Sequence, residues 1–537
     1  MSLIKNLFRM NKAVNTTKQN DVQKNNKSQK RLLTTSLQQN INIVKETLGK
    51  SSDIVIREFR AGEGGKLHIA VMYTDGLADK KLVQDFILEV LMLDLRKVDI
   101  DDSVLLKKNS FKILTDLVLP VGDVKEISDF DNLFTHLLSG DTVILMNGYG
   151  KGIVVSSKGW ADRSVEEPSS QTVVRGPKDG FTETLRVNTA LIRRRIKDPN
   201  LWIEVKPIGR RTKTDVAVVY IKGVAGDKIV EEVHRRLDKI NIDGILESGY
   251  IEELIQDETF TPFPTVFNTE RPDVVAAGLL EGRIAILVDG TPFALLVPAL
   301  FIHYFQASED YYQRFDIGTL LRLIRYLSFF LTLLVPSMYV AVTTFHQEMI
   351  PTPLLISLAA QREGVPFPAI LEVLLMEVTF EILREAGVRM PRAIGQAISI
   401  VGALVLGEAS VKAGIISPAM VVVVSITAIS SFVSPTFNMA IAVRIIRFIF
   451  TFLAATFGLY GIAVGLLAMV LHLCSLRSFG IPYMSPMAPL ILADQKDTII
   501  RFPHWAFFKR PRLMNQKDVV RQQRPIKAKP KPPQDGR

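Results

Sequence analysis

The stretch "LLEGRIAILVDGTPFALLVPALF", Leu279–Phe301, decides the fold. It is apolar enough and long enough to be a membrane span, which needs about 20 residues. It also carries Asp289 and Gly290 at its centre. An Asp-Gly pair between two apolar runs is a strong hairpin signal. A carboxylate in mid-membrane costs roughly 3 kcal/mol. The favoured reading pairs Ile284–Val288 with Pro292–Val297 as two strands; a span over 284–306 is the alternative. On the first reading a sheet ends here and a membrane region follows. On the second the membrane region starts one crossing earlier.

Towards the N-terminus the pattern is that of sheet and helix. "LWIEVKPI" (201–208) and "TDVAVVYIK" (214–222) read as strands. "TETLRVNTALIRRRIK" (182–197), "DKIVEEVHRRLDKI" (227–240) and "SGYIEELI" (248–255) have helical apolar spacing. Further back, "DIVIREFR", "KLHIAVMYT", "DTVILMNG" and "KGIVVSSKG" read as strands, with helices at "LQQNINIVKETLGK" and "LADKKLVQDFILEVLML". The Pro/Gly-bearing "ADRSVEEPSSQTVVRGPKDGF" (161–181) looks like a linker. The fold class expected is an α/β cytosolic region of two subdomains, 36–160 and 161–282, followed by an α-helical polytopic membrane domain, 283–490.

Towards the C-terminus four spans are expected, at about 323–345, 393–413, 415–435 and 448–474. A further segment, 353–386, reads as re-entrant or interfacial. Four spans put both chain ends on one side, and both ends are basic. Residues 1–31 carry eight Lys/Arg against one acid, and residues 501–537 carry eleven against two, within a net charge of +10 over 537 residues. Tails 1–35, read as disordered, and 491–537 therefore mark the cytosolic side and touch anionic lipid. No zinc-finger or helix-turn-helix signal supports nucleic-acid binding. The cost of this topology is that Arg444 and Arg447 fall outside or inside protein.

The single cysteine, Cys474, excludes an intrachain disulfide framework and a Cys-based zinc site. The N-terminus has no secretory signal pattern. "GEGGK" (62–66) lacks the spacing and the Ser/Thr of a P-loop. No nucleophile elbow or zincin signature occurs, so no enzyme, cofactor or metal is expected. Arg193, Arg194 and Arg195 read as a solvated or subunit-contacting helix face, with an acidic partner or lipid head groups as the sharper alternative.

Two membrane-region features carry chemistry. Glu372, Glu377, Glu381 and Glu385 recur at four- to five-residue spacing, on roughly one helix face. The bland reading is an interfacial helix with Glu–Arg pairs through Arg384 and Arg389. The sharper one is an acidic vestibule when several copies assemble. In "PRAIGQAISIVGALVLGEASVKAG" (391–414), Gln396, Ser399 and Ala403 fall on a small, polar stripe; Val401, Leu404 and Glu408 fall opposite. Small residues allow close helix packing, and an ionisable residue in a span is functional by default. Either stripe could line a pore, or the small one could be only a packing seam.

Five collinear stretches then carry a family resemblance: "GFTETLRVNTALIRRRIKDPNL", "TERPDVVAAGLLEGRIAILVDGTPFALLVP", "HQEMIPTPLLISLAAQREGVPFP", "EVTFEILREAGVRMPRAIGQAISIVGALVLGEASVKAGIISPAMV" and "SLRSFGIPYMSPMAPL". The chain resembles the A subunits of GerA-type germinant receptors of endospore-forming bacteria. The resemblance implies a multi-pass subunit of a nutrient sensor in the spore inner membrane, with its N-terminal domain on the core side. It implies as partners a transporter-like B subunit and a C lipoprotein, with the nutrient in the B-like subunit. It also implies a homo-oligomeric ring that passes ions. A secondary transporter of a small solute, or a non-conducting scaffold, are the competing readings; no internal repeat of the kind carriers show was evident.

Overall fold

The computed structural model describes residues 31–49, 51–61, 67–88, 124–159, 167–168, 171–389, 407–514 and 518–522. The expected readings at 1–30, 62–66, 390–406 and 523–537 lie outside the described residues.

The first subdomain contains helix α1 (Leu37–Leu48) and strands β1 (Ile54–Ala61), β2 (Leu67–Thr74), β3 (Val124–Ile127), β4 (Thr142–Met146) and β5 (Gly152–Val155), with α2 (Phe130–Leu137) before β4. Its five strands form an antiparallel sheet of order β1-β2-β4-β5-β3. Leu82–Leu88 is a wide-turned helical segment whose Val83 and Ile87 close the core beneath β2 and β4.

The second subdomain repeats this order. Helix α3 (Leu185–Arg195) precedes β6 (Leu201–Ile208) and β7 (Thr214–Ile221). After them come α4 (Asp227–Asp238), α5 (Ser248–Ile255), β8 (Phe267–Thr269) and α6 (Pro272–Leu280). The hairpin β9 (Ile284–Val288) and β10 (Ala294–Val297) ends it. The sheet order is β6-β7-β9-β10-β8, the counterpart of the first sheet strand for strand.

The correspondence reaches individual hydrogen bonds. In the first subdomain the Leu37 N–H, at the start of α1, donates to Asn147 Oδ1 in the β4–β5 turn at 3.1 Å, and Asn40 brackets Thr34 with two bonds. In the second, the Leu185 N–H donates to Asp289 Oδ1 at 2.9 Å, and Asn188 brackets Thr182 in the same way. Both turns place a glycine at positive φ, Gly148 at 89° and Gly290 at 91°. Asp289, the residue that argued against a span, thus caps a helix from a hairpin turn.

The hairpin is continuously apolar because it is covered on both faces. Ile284, Ile286, Val288, Leu295 and Val297 enter one core with α4 and α5. Ala285, Leu287, Ala294 and Leu296 enter another, which continues into the helical part through Phe329, Leu333 and Val340. Strands buried on both faces lose the polar alternation and resemble spans in sequence. The second sheet thus runs to Val297, past the boundary at 282–283.

Arg193 is buried, donating to Asp53 from Nε at 2.8 Å and to Ser51 from Nη2 at 3.2 Å. Arg195 pairs with Asp179. The solvated-face reading is corrected for these two: each cation meets a carboxylate held by the same fold.

The helical part begins with the short α7 (Glu309–Tyr312) and the 30-residue α8 (Phe315–Thr344). It continues through α9 (Thr352–Arg362), α10 (Ala369–Arg389), α11 (Pro418–Phe432) and α12 (Phe437–Ser475). Two of these, α8 and α12, are long and apolar enough to cross a membrane. α12 is not straight. Gly458 has φ 61° and ψ −142°. A Cβ on Gly465 would meet the Phe450 ring at 3.2 Å, a residue roughly 22 Å away along a straight helix. α12 is therefore a helical hairpin with legs 437–457 and 459–475, and its tip lies against His346 beyond the end of α8. Both ends of the hairpin reach the second subdomain: Asn438 donates to Glu252, and His472 meets Thr261 at 2.8 Å.

After α12 the chain returns to the second subdomain through the small ribbon β11 (Arg477–Ser478) and β12 (Ile481–Pro482). Phe479, Ile481 and Met514 join its core. Residues 491–514, read as tail, are thus partly structural.

Candidate functional site

α10 is built from good helix formers, Ala, Leu, Met and Glu, and Glu372, Glu377 and Glu381 on it point at neighbouring helices. Glu372 is fully buried at the start of α11. Its Oε2 accepts from the Ser417 N–H at 3.0 Å and from Ser417 Oγ at 2.8 Å. The partial positive charge of the α11 N-terminus favours a carboxylate there, and Arg362 adds a charge contact at 3.3 Å. Glu377 is 1% exposed and faces Arg447 Nε at 3.1 Å, a charge contact whose angle falls short of a hydrogen bond. Glu381 accepts from Arg444 at 2.7 Å and Arg447 at 3.3 Å. Glu385 is exposed and takes Arg389 at 2.6 Å.

Three of the four glutamates are thus matched by arginines from α9 and α12. Arg444 and Arg447, awkward in the sequence, are the partners of Glu381 and Glu377. Arg384 donates to Ser431 Oγ near the end of α11. These contacts fix directions: α10 runs parallel to α11, with Glu372 at Ser417 and Arg384 at Ser431, and antiparallel to the first leg of α12.

A second polar cluster roots α8. Asp310 is fully buried and accepts from Arg322 Nη2 at 3.2 Å and Arg325 Nη1 at 2.7 Å. Arg322 Nη1 also donates to Asp497 Oδ1 at 2.9 Å, whose other oxygen accepts from the Tyr311 hydroxyl at 2.7 Å. Arg501 packs beside them, buried, against the Tyr311 ring. Three cations face two carboxylates here, joining α7, α8 and the segment after α12. Sequence reading missed this cluster because Asp497 and Arg501 lie far along the chain. Arg322 and Arg325 flanking an apolar run were the available signal.

Gln396, Ser399, Val401, Ala403 and Leu404 lie outside the described residues. Glu408 is described: it is exposed and paired with Lys412 at 2.6 Å, the neutralising contact that its spacing allowed. Among the described residues no group of three or more His, Cys, Asp or Glu is arranged to hold a metal ion.

The sequence profile described as "Bacillus/Clostridium GerA spore germination protein" matches residues 42–513. The chain is 52% identical to spore germination protein KA of Bacillus subtilis (strain 168), covering 93% of this chain and 90% of that protein. It is 44% identical to the uncharacterized membrane protein YfkQ of the same organism, over 90% and 92% of the two chains. Among solved structures, the N-terminal domain of the A subunit of the Bacillus megaterium spore germinant receptor GerK3 matches at 44% identity and a TM-score of 0.41. That match covers 51% of this chain and 98% of the other.

Proposed function

Because the chain belongs to the GerA family of Bacillus/Clostridium spore germination proteins, we propose that it is a membrane-embedded germinant-receptor subunit whose copies assemble around an ion path opened by a nutrient. The observation that carries the membrane reading is the charge matching inside the helical part. Buried carboxylates on α10 meet arginines of the same chain, while large apolar side chains such as Phe330, Ile429, Phe452 and Leu467 stay exposed. A surface that apolar over paired interior charge suits lipid.

The crossings on this reading are α8, α10, the stretch 393–413, α11 and the two legs of α12. Six crossings, like four, leave both basic tails on one side. The carboxylates available to an ion vestibule reduce to Glu385 and Glu408, since Glu372, Glu377 and Glu381 hold helices together. The ion path falls to 393–413, lined either by Gln396, Ser399 and Ala403 or by Val401 and Leu404. The partners are further copies of the chain, a transporter-like B subunit and a C lipoprotein; the soluble subdomains face the spore core.

Cysteine accessibility across 391–414, in a Cys474-free background, tests the path. Labelling every three to four positions from the aqueous side identifies the wall. Uniform protection throughout would remove this segment from the path.

A further inference from the structure

Hydroxyl groups inside apolar helices usually donate to a carbonyl one turn earlier. The buried Ser337, Thr343, Thr427, Ser431 and Thr451 do so here. Three other buried residues on the same helices, two serines and a threonine, do not. Ser328 and Thr332 on α8 and Ser430 on α11 are 7%, 3% and 8% exposed, and their hydroxyls have no partner among the described residues; of the three, Thr332 Oγ1 is also closed off from solvent. All three line one pocket of about 330 Å³, counted with its open mouth, between α8, the end of α11 and the start of α12. Unmet hydrogen bonds gathered in one cavity call for a polar occupant.

The rest of the lining says which kind. Arg325 forms part of the wall. Its Nη1 is committed to Asp310 and to the Phe305 carbonyl; its Nε and Nη2 have no partner among the described residues. Among the described residues, Arg325 is the one charged residue of the lining, and no carboxylate lines the pocket with it. Guanidinium and hydroxyl donors together suit a phosphate. On α8, Leu327 and Phe330 are exposed, one turn apart on the same helix as the lining Ser328, Phe329 and Thr332. Phe305, from the last turn of the second subdomain before α7, closes the inner side. The pocket therefore sits where the helical part meets that subdomain.

We propose that this pocket binds the phosphate of an anionic phospholipid headgroup, with the acyl chains along the exposed Leu327–Phe330 face of α8. The inference rests on the membrane reading above. A lipid held there bridges α8, α11 and α12 at the level where Asp310 roots α8, and so stiffens the junction between the soluble and helical parts.

The test uses the full chain in nanodiscs containing phosphatidylglycerol or only phosphatidylcholine, with retained lipid counted by native mass spectrometry. The variant Thr332→Val with Ser430→Ala removes two of the free hydroxyls and leaves the Arg325–Asp310 pair intact. Thr343→Val, which removes a self-bonded hydroxyl, is the control. The wild type and the control should retain phosphatidylglycerol over phosphatidylcholine, and the double variant should lose on the order of tenfold of that preference. sn-Glycerol 3-phosphate should compete weakly; competition at lipid-like affinity would overturn the lipid assignment in favour of a free phosphate ester. Equal retention of the two lipids, or an unchanged double variant, overturns the site while leaving the membrane reading standing. Release of the chain from vesicles by alkaline carbonate would overturn the membrane reading and the site with it.

Discussion

Replacing Arg447 with Met removes the only arginine in contact with Glu377 among the described residues. Both side chains are almost wholly buried, at 2% and 1% exposure. Removing one member of such a pair leaves an unpaired buried charge and costs about 3–5 kcal/mol. Glu381 loses one partner in the same substitution but keeps Arg444 at 2.7 Å, so the main loss is at Glu377. Adding Glu377→Gln removes the orphaned carboxylate, and Met fills much of the arginine stem's volume. The double variant should therefore fall within about 1–2 kcal/mol of the wild type, since buried pairs replaced together are often neutral. The assay is thermal unfolding of detergent-solubilised protein, followed by intrinsic fluorescence and by light scattering. Arg447→Met should lower the midpoint by roughly 3–4 °C, and the double variant should recover most of it. A double variant as unstable as the sum of the two singles would refute the claim that these side chains act as a pair joining α10 to α12.

Two further perturbations follow. Glu252 on α5 accepts from Asn268 and Asn438; burial, with Glu247 adding a smaller push, raises its carboxyl from 4.5 to about 7. The folded state favours the neutral acid, so its contribution is present below pH 4.5 and is lost as pH rises to about 7. The loss is at most about 3 kcal/mol, and Glu252→Gln should flatten the fall in melting temperature measured between pH 5 and 8. Gly458→Ala forces a side chain into a backbone region open essentially to glycine and sets its Cβ about 2.7 Å from the His346 ring. It should cost about 1–3 kcal/mol from the backbone alone, seen as faster proteolysis near the α12 tip and a lower melting temperature.

Much of the N-terminal fold was legible. β6, β7 and α5 follow the periodicity of their stretches, and the Asp-Gly signal in Leu279–Phe301 correctly outweighed its span-like composition. What local reading could not supply was the partner surface. The hairpin looks like a span because two cores cover it. The 448–474 run looks like one span because a single residue, Gly458, turns it back within an apolar sequence. The duplication was hidden because it is kept by few positions: Thr34, Leu37 and Asn40 against Thr182, Leu185 and Asn188, with Asn147-Gly148 against Asp289-Gly290 in the turns. The spacing T-x-[S/T]-L-x-x-N before each sheet was the signal available. In the helical part, glutamate spacing was visible but its meaning was not. Whether Glu377 lines a vestibule or meets Arg447 depends on a neighbour some seventy residues onward, which periodicity does not report.

The central claim, that the chain is an ion-conducting receptor subunit, is tested most directly by conductance. The chain would be reconstituted in planar bilayers with its transporter-like and lipoprotein partners, and current recorded before and after nutrient addition. The account predicts nutrient-dependent current, altered when Val401 or Leu404 is replaced by Ala or a larger residue, or Glu408 by Gln. A silent bilayer with every partner present and nutrient bound, or currents indifferent to all three positions, would contradict it.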